Sequence, residues 1–325
     1  MIFEYPFKEI SLYTFNQVSA LLKQDRKKNL LNDNINFISD NSCTHELNCS
    51  LFSGSYILDL IGEANSYHEL RLNISIEEKQ DVTLLIHIGH QIDVKYLSKI
   101  FGSITLQSFA CCHILFVSES SNSCLHQFLC NINWILEKNS FLDLFIQQSS
   151  GILEHHQHFF NLKEHSKLKM RGMIITPSGT YKSIQPKVIH REPSAESDII
   201  IKSLLQGPSK TSILGKIQVE NGSQNIKGAY QNNNLMISNG AFLVAQPELD
   251  IDFDDIACSH GVTIGALDLQ AFFYLQSRGL TPNEAKKILM LSFLKGIIPS
   301  ILINNLMTNY IEDLETLLIG LQGGA

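Results

Sequence analysis

Over most of its length this chain alternates apolar and polar residues in short bursts. Between about Ile35 and Ala257 the segments SYILDLIG, DVTLLIHIG, GSITLQSF, HILFVSES, FLDLFIQQ, KMRGMIIT, DIIIKSLL, SILGKIQVENG and NLMISNGAFLV are rich in Ile, Leu, Val and Phe and are punctuated by Ser, Asn and Gly. Runs of this length and composition predict strands, and no convincing long helix interrupts them, so the body is all β. Tight hairpin signals are scarce, with Asn221-Gly222 and Asn239-Gly240 the only Asn-Gly pairs. The segments resume about every 20 residues, which suits stacked coils of a parallel β-helix and would fit roughly ten of them. The pattern by itself leaves a sandwich or a barrel open.

The ends read differently. Up to Asn34, one helix is predicted over Asn16 to Leu30, with Val18, Leu21 and Leu22 on one side and the basic run Lys23 to Lys28 as a solvated face. Beyond the β body, Leu267, Ala271, Tyr274, Leu275 and Arg278 are spaced for one helical face, and Gly279 is a natural stop. Thr281-Pro282-Asn283-Glu284 then supplies an N-cap, a proline at the first helical position and a glutamate at the third, the signature of a capping box. Ala285, Ile288, Leu289 and Ser292 continue along one face, and short helices follow carrying Leu302, Leu306, Leu314, Leu317, Leu318 and Leu321. The expected organisation is a helical segment at 1–34, a β core at 35–262 and a helical domain at 263–325. The terminal helices are expected to cap the open end of the β body, the alternative being a groove for a partner.

Composition narrows the functional classes. A net charge of −7 with no basic block argues against nucleic acid. The apolar stretch Met290 to Met307 is broken by Lys295, Pro299, Asn304 and Asn305, and the opening MIFEYPFKEI lacks the pattern of a signal peptide, so a cytoplasmic address is expected. Seven cysteines without a repeated spacing do not form a disulfide framework or a zinc ribbon. Cys43, Cys49, Cys111, Cys112, Cys124 and Cys130 are expected to be buried small hydrophobes. In the run His155 to His158, only His156 and His158 would share a face of an extended strand.

Catalytic signatures are missing. GPSKTSILGK, Gly207 to Lys216, has its glycines too far apart for a phosphate loop, and no GxSxG, HExxH or GxGxxG is present. Asp250, Asp252, Asp254 and Asp255 form an acidic cluster that suits a solvated strand edge; read as a carboxylate pair, it would make the chain a β-helix carbohydrate-acting enzyme. The sharper feature is DDIACSHGVTIG, Asp254 to Gly265, which sets Cys258 and His260 two residues apart. On a strand both point the same way, about 6 to 7 Å apart, and a thiolate with an imidazole suits iron or zinc. Two ligands do not complete such a site. The rest must come from elsewhere in the chain, from inorganic sulfide or from another subunit.

From His190 to about Phe293 the chain resembles the SufB/SufD family, scaffold subunits of the SUF iron–sulfur cluster assembly system. The matching residues are GKIQV (Gly215 to Val219), QNNNLMIS (Gln231 to Ser238), PELDI (Pro247 to Ile251), DDIACSHGVTIGALD (Asp254 to Asp268) and FFYLQSRGL (Phe272 to Leu280). Cys-Ser-His-Gly followed by Thr-Ile-Gly resembles the SufD branch. The resemblance implies a right-handed parallel β-helix flanked by helical ends, and a non-catalytic subunit. It also implies a SufB-like partner bound through the β-helices, a SufC-like ATPase bound through the C-terminal helices, and a transient iron–sulfur cluster at the interface between the two β-helices. On that reading His260 is a direct cluster ligand, Cys258 a second ligand or an interface thiol, and Asp254 and Asp255 orient the ligands. Arg278 and Leu289 mark the partner-binding helices. A flavin is not legible in the residues, and a homodimeric β-solenoid stays open beside the heterocomplex.

Overall fold

The computed structural model describes residues 13–14, 44–61, 67–89, 97–118, 126–220, 223–251, 256–299 and 310–321. The helix expected over Asn16 to Leu30 lies outside them. Among the described residues, seventeen strands, numbered in chain order, wind into a parallel β-helix of two sheets. One sheet stacks β1 (Tyr13–Thr14), β3 (Gly54–Ile61), β5 (Asp81–Gly89), β7 (Cys111–Ser118), β9 (Phe141–Gln148), β11 (Lys167–Thr176), β13 (Glu196–Leu205), β15 (Ile226–Met236) and β17 (Ile256–Ala266). The other stacks β2 (Thr44–Leu51), β4 (Tyr67–Ile76), β6 (Leu97–Leu106), β8 (Gln127–Leu136), β10 (Leu153–Leu162), β12 (Tyr181–His190), β14 (Lys210–Val219) and β16 (Phe242–Ile251).

Strands adjacent in sequence therefore lie in opposite sheets, and each pairs with the strand one coil away. Thr44 lies beside Glu69, Leu97 beside Gln127 and Lys210 beside Phe242, separations of 25, 30 and 32 residues. This corrects the recurrence of about 20 expected from the pattern. A coil holds two strands, so spacing between neighbouring apolar runs underestimates its length.

Alternation along each strand turns every second side chain inward, as β10 shows by burying Glu154, His156, His158, Phe160 and Leu162 and not the residues between them. Parallel register then piles the inward residues into columns. Ile74, Ile104, Trp134, Phe160, Val188 and Ile217 form one such column in the even-numbered sheet. The Trp134 and Phe160 rings stack at 5.8 Å and 15°, a contact of about 1 kcal/mol beyond the area it buries. Gly215 also faces inward, and a Cβ there would meet the Tyr230 ring at 2.2 Å, so this position of the GKIQV motif is reserved for the aromatic opposite it.

The corners repeat as well. Lys79, Phe109, Asn139, His165, Ser194 and Asn225 all have φ between 54° and 62°, one residue at the same corner of successive coils. At five of them the backbone N–H donates to a carbonyl of the next coil: Lys79 to Ser108, Phe109 to Lys138, Asn139 to Glu164, His165 to Pro193 and Ser194 to Gln224. Outward positions of the even-numbered sheet carry amide ladders, including Asn73 Nδ2 to Asn48 Oδ1 at 2.8 Å, Asn161 Nδ2 to Asn133 Oδ1 at 2.8 Å and Gln157 Nε2 to Gln185 Oε1 at 3.0 Å.

The odd-numbered sheet is different, for its outward side chains form a second apolar layer. Leu85, Leu115, Val117, Phe145, Met173, Ile175 and Leu204 pack against Met290, Leu294, Ile297, Tyr310, Leu314, Leu318 and Leu321. This explains why strands such as HILFV and FLDLF read as continuous apolar runs, since both faces are covered. Of the three helices among the described residues, α1 (Leu269–Ser277), α2 (Pro282–Lys295) and α3 (Tyr310–Gly320), the last two supply the cover, and α1 packs on α2. Tyr310 Oη donates to Gln147 Oε1 at 2.5 Å, Gln206 Nε2 to the Leu321 carbonyl at 2.6 Å, and Lys287 pairs with Glu315 at 2.9 Å.

The described helices thus lie along the flank of the β-helix. They do not cap its end, as the sequence suggested, because the flank holds the larger apolar surface. The capping box is formed as expected, with Thr281 N–H donating to Glu284 Oε2 at 2.8 Å and Glu284 N–H to Thr281 Oγ1 at 3.3 Å. Gly279 takes φ +95° after α1. The buried face of α2 is Ala285, Met290 and Leu294, whereas Leu289 is half-buried and Ile288 and Ser292 are exposed. That departs from the face expected, since α2 packs on one sheet and on α3 at once.

Two substitutions test this architecture. Phe109 has φ 62° and an exposed ring, so Phe109→Gly is expected to raise stability by about 1 kcal/mol by relieving left-handed backbone; a urea midpoint that rises at constant m-value checks it. Gly215→Ala is expected to cost about 1 to 3 kcal/mol by displacing the Tyr230 ring, read in the same titration.

Candidate functional site

Cys258 and His260 lie on β17, the last strand of its sheet, and both face along the inward side. Cys258 pairs with Gly228 and ends the column Val82, Cys112, Leu142, Leu168, Ser197, Gly228. His260 pairs with Tyr230 and ends the column Leu84, Ile114, Leu144, Met170, Ile199, Tyr230. From β5 to β15 these positions are all buried. Among the described residues no further coil follows β17, so Cys258 is half-buried and His260 exposed.

The thiol still touches the interior. It packs against the buried core, and a Cβ on Gly228 would come within 3.0 Å of its Sγ and 3.4 Å of Ile217 Cδ1. Burial pushes its pKa up, and a hydrogen bond from the Gly228 backbone offsets part of that rise. A cation or cluster would therefore have to displace a proton from this sulfur. Tyr230, buried beside His260, has no hydrogen-bond partner for its hydroxyl among the described residues, and desolvation pushes its pKa well up.

Around the pair, the end of the β-helix is apolar. Phe242, Val244 and Ile251 on β16 and Ile264 on β17 are exposed, Phe242 and Ile264 by 59% and 61%. Among the described residues nothing pairs with the outer edges of β16 and β17, and such edges are ordinarily covered. Lys216 holds Glu248 at 2.6 Å and Asp250 at 2.9 Å. Asp250 is thus part of an ion pair and not a free glycosidase carboxylate. Asp252, Asp254 and Asp255 lie outside the described residues.

Among the described residues, two groups of three or more His, Cys, Asp or Glu side chains bring their ligand atoms within 4.8 Å of one another, and neither includes Cys258 or His260. The ligand shortage inferred from the sequence therefore holds in space for the described residues. One group, Asp81, Cys111 and His113, is on the outer face of the odd-numbered sheet; Cys111 Sγ is 3.8 Å from His113 Nε2, and His113 Nδ1 is 3.6 Å from Asp143. Cys111 is thus half-exposed beside polar groups and not the core residue expected from sequence. Its spacing to His113 repeats that of Cys258 and His260, the signal that could have found it. The other group, Cys130, His156 and His158, is wholly buried. Cys49 is partly buried against the core, Cys112 is buried, and Cys43 and Cys124 lie outside the described residues.

Arg278 follows α1, exposed, with its guanidinium 5.2 Å from the Tyr274 ring centroid. Leu269 and Phe273 on the same helix are exposed by 64% and 63%, and Ile288 on α2 by 40%. α1 buries none of its residues fully. Among the described residues no helix is long and apolar enough to cross a membrane.

Comparison with known proteins places this geometry. Residues 60–293 match the family model described as SUF system FeS cluster assembly, SufBD core domain. The iron–sulfur cluster assembly protein SufD of Escherichia coli is 23% identical over 232 residues, covering 71% of this chain and 54% of that protein. An iron–sulfur cluster assembly SufBD family protein of Mycobacterium tuberculosis is 28% identical over 134 residues, 41% of this chain and 16% of the relative. SufD of Bacillus subtilis is 25% identical over 129 residues, 40% of this chain and 30% of the relative. The chain spans about half the length of the Escherichia coli relative and less of the others. With the core model matched across most of its length, on a parallel β-helix whose last strand carries Cys258 and His260, this chain belongs to the SufB/SufD family of iron–sulfur cluster assembly proteins and is SufD-like.

Proposed function

We propose that the chain is a non-catalytic, cytoplasmic scaffold subunit that assembles a nascent iron–sulfur cluster together with a SufB-like subunit, and that a SufC-like ATPase binds its C-terminal helices. The cluster is cargo, held transiently. The observation that carries this reading is the ending of two core columns in a thiol and an imidazole at the open end of the β-helix. A cluster ordinarily takes four protein ligands, mostly thiolates, with histidine as a known replacement. Two from this chain leave the remainder to a partner. An apolar rim and bare strand edges at the same end suit a second β-helix stacked there, which would continue the columns and bury Phe242 and Ile264. His260, exposed, is the direct ligand, and Cys258 is the second ligand or a thiol supporting the interface. Asp254 and Asp255 are assigned the orientation of these ligands.

Helix exposure supports the ATPase half of the proposal. Leu269, Phe273 and Ile288 leave an apolar surface on α1 and α2 after the flank has been covered. Arg278 and Leu289 border it, and ATP hydrolysis is assigned to the partner.

Reconstitution tests the ligand role. With SufB-like and SufC-like subunits, ferrous iron and sulfide under anaerobic conditions, the wild-type chain is expected to develop cluster absorbance and His260→Ala to lose most of it. Its melting temperature should not move, because the side chain is exposed. Undiminished cluster yield removes His260 from the ligand set, and purification as a homodimer without an ATPase subunit overturns the assembly as a whole. The helices are tested by charge. Ile288→Asp is expected to weaken ATPase-subunit binding at least tenfold with no change in melting temperature, whereas Leu289→Asp, at a half-buried position, should lower both. Binding retained by both variants locates the ATPase elsewhere.

A further inference from the structure

Three ligating side chains meet in the middle of the β-helix, far in sequence from the end of the last coil. Cys130 on β8 pairs directly with His156 on β10, and His158 follows two residues on, facing inward as well. Their ligand atoms all lie within 4.8 Å of one another, and all three residues are 0% to 1% exposed. The neighbours of this group in its own columns are aliphatic: Ile100 and Ile184 flank Cys130 and His156, and Ile132 lies beside His158. Phe116 and Phe128 enclose His156, with ring centroids 5.3 Å and 5.2 Å away. An imidazole placed among such residues ordinarily has both nitrogens satisfied. Here neither nitrogen of His156 has a hydrogen-bond partner among the described residues, nor does Nε2 of His158.

From this geometry we infer that Cys130, His156 and His158 form a closed three-ligand site for a single thiophilic monovalent cation, for which Cu(I) is the probe. One thiolate and two imidazoles suit copper or zinc by ligand type. Charge decides between them. A thiolate neutralises Cu(I), whereas Zn(II) would leave a net positive charge in an apolar interior. That interior already holds one buried cation, Lys182, and its buried partner Glu154 sits 3.0 Å away as its counter-charge. No further buried acid joins the group within 4.8 Å among the described residues. An apolar interior favours neutral imidazoles, with lone pairs available, and a protonated thiol when no cation is bound. Uptake therefore releases that proton to solvent as the Cu–S bond forms.

The site carries its own reporter. Trp134, the single tryptophan of the chain, donates its indole N–H to His158 Nδ1 at 3.1 Å. If Nδ1 ligates, its lone pair is no longer free for the indole. If Nε2 ligates, its hydrogen moves to Nδ1 and the two N–H groups oppose each other. Either way, cation binding breaks the Trp134 hydrogen bond.

Because the site is closed, the cation must be supplied as the chain folds. The full chain is therefore synthesised in a reducing, anaerobic cell-free mixture containing Cu(I), then purified against a Cu(I) chelator. The expected result is one copper retained per chain, a fall in Trp134 emission relative to the copper-free protein, and an X-ray absorption spectrum with one sulfur and two nitrogen ligands. Cys130→Ala and His156→Leu, both compatible with the aliphatic columns, should lower retention at least tenfold. Cys111→Ser, in the exposed group, should leave it unchanged. The inference is overturned by natively folded wild-type chain without copper, by retention undiminished in Cys130→Ala, or by a spectrum with two or more sulfur ligands. His260 plays no part in these readouts, so failure here leaves the proposed assembly role intact, and success does not establish it.

Discussion

Parallel stacking obliges each coil to place its inward side chains over those of the coil before, and nearly every other feature of this protein answers to that requirement. An inward residue must be followed, 25 to 32 residues later, by another that fills the same column. Gly215 is small because Tyr230 is large, and Trp134 lies against Phe160 because both occupy one column. The requirement cannot be met at the last coil. Its columns end facing solvent, and there the buried Gly228 and Tyr230 are followed by Cys258 and His260. The proposed chemistry thus occupies the place where the fold's own rule runs out.

The two sheets satisfy their outer faces differently. Amide ladders line part of the even-numbered sheet, where Asn, Gln and Ser side chains bond from coil to coil and remain wet. Across the odd-numbered sheet an apolar layer from Leu85 to Leu204 needs a cover, and α2 and α3 provide it. Their direct hydrogen bonds to Gln147 and from Gln206 fix the helices on that flank. Because the cover lies on the flank, the described helices leave the end of the β-helix free.

Much of this was legible in the residues, for identifiable reasons. Alternation revealed the strands, since one-sided burial imposes a period of two, and the capping box and Gly279 marked helix limits because those positions need particular side chains. The length of a coil was not legible. Its six left-handed corners are of five residue types, among them Lys79, Phe109 and His165, and only Asn139 and Asn225 are of a type that would announce such a turn. Nor was the packing side of the helices, because apolar faces on α2 fit an end or a flank equally well until the outward residues of β7, β9 and β11 are known. At the site, a spacing of two placed Cys258 and His260 together, and likewise His156 and His158. It could not bring Cys130 to His156, which depends on the register between two coils.

Stacked coils touch only their nearest neighbours, so a bare solenoid loses order one unit at a time from either end. The flanking helices alter that sequence. By contacting Leu85, Leu115, Phe145, Met173 and Leu204 together, they splint the strands from β5 to β13 into a single cooperative block. β16 lies beyond the splint and β17 reaches it only through Leu267, just past its C-terminal end; each has one sheet neighbour among the described residues. Opening therefore begins at the strand that carries Cys258 and His260, and can proceed there without loosening the middle of the molecule.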